Sequence, residues 1–241
     1  MKNKSYVGIT FIILIFGIIF IPKIIDRFKN DDIVKGDRLN RVEKPKKDSG
    51  LKNIAKVPLF TLTSQDNVPI SSDSLKGKVY VLEFFFSTCP SICPIMNRNL
   101  MDVAQKFSSK KDFAIASITI NPKYDTPEVL KNHAEQLHAN FDNWYFLTSD
   151  SQDYIHQLAK KFNLYVGENL NAPGGFEHSG LFALIDKNGN IRCRTDQFGN
   201  PILYYSALNF SDAEGFEEDP HGKFRPGVDA IMEDIEKLLN E

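Results

Sequence analysis

The residues best suited to chemistry are Cys89 and Cys93, separated by three residues in the segment Phe86-Ser87-Thr88-Cys89-Pro90-Ser91-Ile92-Cys93-Pro94. Two thiols at that spacing can share one soft metal ion or cycle between dithiol and disulfide, and both chemistries run through the thiolate. The surroundings favour that form. Pro94 fits the first position of a helix, where its missing N–H is not needed, and Met96, Leu100, Val103 and Phe107 follow at helical spacing. In a continuous helix the Pro94 ring would clash with the carbonyl of Pro90, so Cys89 to Cys93 reads as a loop with Cys93 at the helix N-cap. The N–H groups and positive dipole end of that helix lower a thiol's pKa. Two inert, buried cysteines are the plainer alternative.

The elements that must hold this loop follow from periodicity. The run Val79 to Phe86 is short, aromatic and bounded by Lys76-Gly77-Lys78, the pattern of a buried strand. Pro58 to Thr63 reads as an edge strand, Phe113 to Ile120 as a further strand, and Trp144 to Leu147 as a short one. Thr126 and Pro127 mark a helix start, and Ile155, Leu158, Ala159 and Phe162 a helix beginning near Ser151. Leu181 to Ile185, the turn Asp186-Lys187-Asn188-Gly189 and Asn190 to Arg194 form a hairpin, and Val228, Ile231, Ile235 and Leu238 a closing amphipathic helix. This order predicts an α/β sandwich of thioredoxin type. In such a layout the segment Gly174-Gly175-Phe176-Glu177-His178-Ser179-Gly180 lies beside the cysteine loop and brings His178 to it. Cys193 shares a face with Ile191 and reads as a small core residue, whereas His133, His138 and His156 read as surface residues of helices.

The 241-residue chain has a net charge of −2 with signs interspersed, so it offers no basic stripe and nucleic acid is not an expected partner. Three cysteines are too few for a disulfide scaffold and leave one beyond the pair. Tyr6 to Ile21 is free of charge and, with Ile24 and Ile25, approaches the roughly 20 residues that span a bilayer. No small-x-small cleavage site follows, so residues 1–25 read as an uncleaved transmembrane signal anchor. Lys23, Arg27 and Lys29 offset Lys2 and Lys4, and charge alone leaves the orientation open. The start lacks the Arg-rich character of a mitochondrial presequence, which points to a bacterial cytoplasmic membrane. Residues 26–56 have the lysine-rich composition of a flexible tether, and 57–241 form the folded domain. Within it, 200–226 reads as a loop insertion whose Glu214, Glu217, Glu218, Asp219 and His221 form a solvated run, with a second metal site as the alternative.

Three motifs together resemble the Sco/SenC family of copper chaperones for cytochrome c oxidase. They are the cysteine loop, Asn121-Pro122-Lys123-Tyr124-Asp125-Thr126-Pro127, and Glu177-His178-Ser179 ahead of Leu184-Ile185-Asp186. The resemblance covers roughly Val57 to Arg194 and the closing helix. It implies a thioredoxin fold in which Cys89, Cys93 and His178 bind one copper ion, Cu(I) or, as the alternative, Cu(II). Soft thiolates with one imidazole suit Cu(I). It also implies delivery to the CuA subunit of cytochrome c oxidase, a copper donor, a thiol reductant, and a single-pass protein whose domain faces the periplasm. Glu177 is a candidate to orient His178, or a plain solvated carboxylate. Ser91 and Asn121 stand where the family commonly has acidic residues. The rival reading is a thiol:disulfide oxidoreductase cycling Cys89 and Cys93, which has no need of His178. A peroxiredoxin-like peroxidase is disfavoured by the symmetrical Cys-Pro-x-x-Cys-Pro loop.

Overall fold

The computed structural model describes residues 10, 14–22, 50–196, 199–208, 218–219, 222–223 and 227–241. The chain divides into two units, Met1–Asp48 and Ser49–Glu241. In the first, residues 14–22 are helical with exposed apolar side chains. Among the described residues no helix is long and apolar enough to cross a membrane. The rest of the expected 1–25 span, and residues 26–49 of the expected tether, lie outside the described residues.

The second unit is built on one sheet around β4 (Val79–Phe85) and β5 (Phe113–Thr119), both buried along their whole length. Near-continuous apolar sequence is what parallel strands covered on both faces require. The two pair in parallel from Val79↔Phe113 to Phe85↔Thr119, and β6 (Trp144–Thr148) adds in parallel beyond β5. Alternation sends Phe84 and Phe85 to opposite faces. Phe84 meets Phe162 edge-on, while Phe85 stacks on His133. Beyond β4 come β9 (Leu181–Ile185) and β10 (Asn190–Thr195), antiparallel, joined by a turn in which the Asp186 carboxylate accepts the N–H groups of Asn188 and Asn190.

Both edges depart from the sequence reading. β2 (Thr61–Ser64) lies inside the sheet between β6 and β3 (Pro69–Ser71), so the edge belongs to β3. Three residues opening on proline carry no strand pattern. At the other edge β1 (Lys52–Lys56) pairs with β10 from Lys52↔Cys193 to Lys56↔Asn190, so the sheet includes residues assigned to the tether. All five side chains of β1 are exposed; backbone hydrogen bonds hold it, and no apolar alternation announces it.

Among the described residues four helices cover the sheet: α1 (Cys93–Phe107), α2 (Pro127–Gln136), α3 (Gln152–Lys161) and α4 (Gly227–Asn240). The Thr126 and Ser151 hydroxyls accept the N–H groups of Val129 and Tyr154, capping α2 and α3 as the sequence predicts. A separate hairpin of β7 (Val166–Glu168) and β8 (Phe176–His178) precedes β9. The expected insertion begins as sheet: β11 (Pro201–Ile202) pairs with β10, and β12 (Tyr205–Ser206) with β9. Tyr205 is buried and donates to Asp234 on α4. β13 (Glu218–Asp219) pairs with β14 (Gly222–Lys223), and Glu214, Glu217 and His221 lie outside the described residues.

Candidate metal centre

The chain leaves β4 at Phe85 and enters α1 at Cys93, one residue earlier than the proline rule suggests. Ile92 is the N-cap and Pro94 sits in the first turn, so Cys93 is the first helical residue rather than the cap. Its backbone N–H, an unsatisfied donor of the helix start, points at the Cys89 Sγ, 3.5 Å away. The Cys89 N–H donates to the Phe86 carbonyl at 3.2 Å, and the Ser91 Oγ lies 3.6 Å from the Cys89 sulfur. Cys89 is 8% exposed and Cys93 2%.

His178 arrives on the β7–β8 hairpin. Its Nε2 lies 3.2 Å from the Cys93 Sγ, and its Nδ1 is 3.2 Å from the Ser179 carbonyl. A proton on Nδ1 donated to that carbonyl leaves the Nε2 lone pair facing the sulfurs. The imidazole stands edge-to-face on Phe86, with ring centroids 5.9 Å apart. Gly174, at φ +82°, brings the hairpin loop onto Phe86 and Pro90 so closely that a Cβ there would lie 2.8 Å from a Phe86 ring carbon. Glu177 does not orient His178: it is exposed, accepts from Asn169 at 2.8 Å and pairs with the Tyr165 hydroxyl. The Ser179 carbonyl stands in the place proposed for Glu177.

The electrostatics are asymmetric. The Cys89 thiol is pulled down to about 3, chiefly by the hydrogen bond from Cys93, against burial and with help from His178 and the N–H groups of Cys93 and Ser91. That same shared hydrogen bond, together with burial, pushes the Cys93 thiol up. The shared hydrogen bond thus favours the charge on Cys89 and the proton on Cys93. Glu83, fully buried in β4, accepts the Ser117 hydroxyl at 2.7 Å through Oε1, and among the described residues its Oε2 has no hydrogen-bond partner. Burial pushes its carboxyl up to about 7, against the Ser117 hydrogen bond and the attraction of His178.

Among the described residues, Cys89, Cys93 and His178 are the group whose ligand atoms could hold a metal ion, all within 4.8 Å of one another. Two thiolates and a neutral imidazole are a soft set that suits Cu(I), and hard cations would take carboxylates instead. The three residues singled out by the sequence thus meet at one point.

The SCO1/SenC family model matches residues 49–209 of this chain. The chain belongs to the SCO1/SenC family. The SCO1 protein homolog of Bacillus subtilis is 33% identical over 133 residues, which cover 55% of this chain and 69% of that protein. The solved structure of BsSco, described as a member of the Sco family of cytochrome c oxidase assembly proteins with a disulfide switch, has 27% identity. It superimposes with a TM-score of 0.57, covering 78% of this chain and 96% of BsSco. ScoI of Bradyrhizobium japonicum, solved with copper bound, shares the fold at 21% identity and a TM-score of 0.54, covering 76% of this chain and 99% of that one.

Several residues of this SCO1/SenC site escaped the sequence reading. Glu83 was visible as a lone acid within an apolar strand. Buried Thr119 and Asp125 and half-buried Ser87 form a hydrogen-bonded cluster at the start of the cysteine loop. His133 is not a surface residue but stacks on Phe85, and His156 is half-buried with Nε2 3.2 Å from the Ile120 carbonyl. Cys193 is fully buried in β10, as expected of a core residue.

Proposed function

We propose that this chain is a membrane-anchored copper chaperone that takes up one Cu(I) on Cys89, Cys93 and His178 and passes it to the CuA centre of cytochrome c oxidase. The observation that carries the reading is the convergence of two sulfurs and the His178 Nε2 within 4.8 Å. Membership of the SCO1/SenC family and the copper held by the Bradyrhizobium relative support it.

The residues divide the work. Cys89, the more exposed cysteine and the one whose thiol pKa is lowered, is the first to meet incoming copper. Cys93 must give up its proton to join, and the Ser179 carbonyl keeps the imidazole turned with Nε2 toward the sulfurs. A three-coordinate site beside a half-buried imidazole leaves an open side from which an acceptor's thiolates can take the ion by ligand exchange. The charge-free run Tyr6 to Ile21 would keep the domain at the membrane, on the periplasmic side where an oxidase subunit is met.

A second reading has its own support. A thiol pulled down beside a thiol pushed up is the arrangement of a dithiol reductant, and BsSco is described as carrying a disulfide switch. The two readings separate in a bacterium lacking this chain. The chaperone reading expects loss of the CuA near-infrared band and its return with full-length parent protein but not with the His178→Ala variant. Full rescue by His178→Ala would leave the reductase reading in its place.

A further inference from the structure

We propose that Asp125 is a positioning residue for the metal centre: its buried carboxylate clamps the entrance of the cysteine loop to the end of the neighbouring strand. Asp125 is fully buried, yet among the described residues no cation touches it. Its oxygens accept three neutral donors, the Ser87 N–H at 3.1 Å, the Ser87 hydroxyl and the Thr119 hydroxyl. Ser87 lies two residues before Cys89, and Thr119 ends β5. The turn that delivers Asp125 is itself tied back: the Asp125 and Tyr124 N–H groups donate to the Asn121 carbonyl at 2.9 and 3.1 Å, and the Asn121 N–H donates to the Thr119 hydroxyl at 3.0 Å. Thr126 then caps α2. The segment 121–127, which the three-ligand site leaves without a role, is a bracket that fixes where the cysteine loop starts.

Such a bracket acts on the site through Ser87 alone, because Cys89 follows it by two residues and Cys93 is set separately by α1. Hydrogen bonds to a charged acceptor are worth more than neutral ones, and removing the acceptor strands buried donors. Without the clamp residues 87–91 are free to shift, Cys89 leaves Cys93 and His178, and the group loses one of its two sulfurs. Asn can hold most of the bracket. Its carbonyl oxygen would take the Ser87 N–H and the Thr119 hydroxyl, and its amide would donate to the Ser87 oxygen in reversed polarity.

This inference rests on the copper reading for one of its readouts and is independent of it for the other. The full-length protein is prepared as parent, Asp125→Ala, Asp125→Asn, Ser87→Ala and, as a control for destabilisation remote from the loop, Asp234→Asn. Cu(I) affinity is read by competition with a chelator, and the metal-free Cys89/Cys93 pair is equilibrated in dithiothreitol redox buffers. We expect Asp125→Ala to weaken copper at least a hundredfold and to shift the dithiol/disulfide equilibrium about tenfold toward disulfide, roughly 30 mV, because the Cys89 sulfur leaves the Cys93 N–H that faces it in the reduced loop. Asp125→Asn should restore most of both, Ser87→Ala should give a several-fold effect in each, and Asp234→Asn should lower the melting temperature while leaving the potential in place. Should Asp125→Ala fail to fold, Ser87→Ala decides. Parent-like copper affinity and potential in a folded Asp125→Ala or in Ser87→Ala would overturn the proposal. A parent that holds no copper would overturn the chaperone reading, and the potentials would still judge Asp125.

Discussion

Replacing Glu83 by Gln isolates the cost of a carboxyl buried in the central strand. Its pKa rises from 4.5 to about 7 because burial disfavours the charge. At about 1.36 kcal/mol per pKa unit, that shift makes an ionised Glu83 cost the fold about 3 kcal/mol. The sign follows from proton counts: between the two values the native state holds a proton that the unfolded chain has lost. The contribution is therefore intact below the unfolded pKa and lost as pH rises through the folded one. His133 slopes the other way, since burial lowers its pKa and its contribution is lost as pH falls. Both proteins carry His133, so it cancels in the difference. Urea unfolding of reduced, metal-free parent and Glu83→Gln, from about pH 5 to pH 8, reads that difference directly. The variant should gain on the parent as pH rises, by about 2 to 3 kcal/mol across the range, whatever constant offset the amide introduces. Parallel curves, with a difference independent of pH, would refute the assignment of a raised pKa to Glu83.

Two further outcomes follow from the loop itself. With Cys89 held as thiolate mainly by Cys93, iodoacetamide at about pH 6 should label Cys89 and spare Cys93 and Cys193 in the reduced protein, and Cys93→Ala should move half-labelling of Cys89 to higher pH. Mass spectrometry checks this, and equal labelling of all three cysteines would count against the asymmetric pair. Gly174→Ala places a side chain at φ +82° and within 3.2 Å of Pro90, so it should cost about 1 to 2 kcal/mol by urea unfolding and weaken copper binding. Parent-like values for both would show that the hairpin does not need this close approach.

The sequence disclosed most where one residue type implied one chemistry. Cys89 and Cys93 before a helix, and His178 after a glycine pair, pointed to the site, because a cysteine pair ahead of a proline-started helix has few other uses. The central strands were equally legible, since parallel strands covered on both faces must be apolar throughout. What stayed hidden depended on partners distant in the chain. β1 shows only exposed side chains, so no apolar alternation records its pairing with β10. The β7–β8 hairpin consists of three-residue strands too short for alternation to register. Glu177 looked the natural support for His178 because it is adjacent, yet alternation along β8 turns it to the opposite side. Asp125 could be read as a turn residue before a helix cap, but nothing local reveals that its carboxylate reaches Ser87 across 38 positions.

The central claim is the ligand set, and X-ray absorption at the copper edge tests it most directly. Full-length protein, reduced and loaded with one equivalent of Cu(I), should show two sulfur scatterers and one nitrogen, and His178→Ala should lose the nitrogen while keeping both sulfurs. An all-sulfur environment in the parent, or a spectrum unchanged by His178→Ala, would contradict the account.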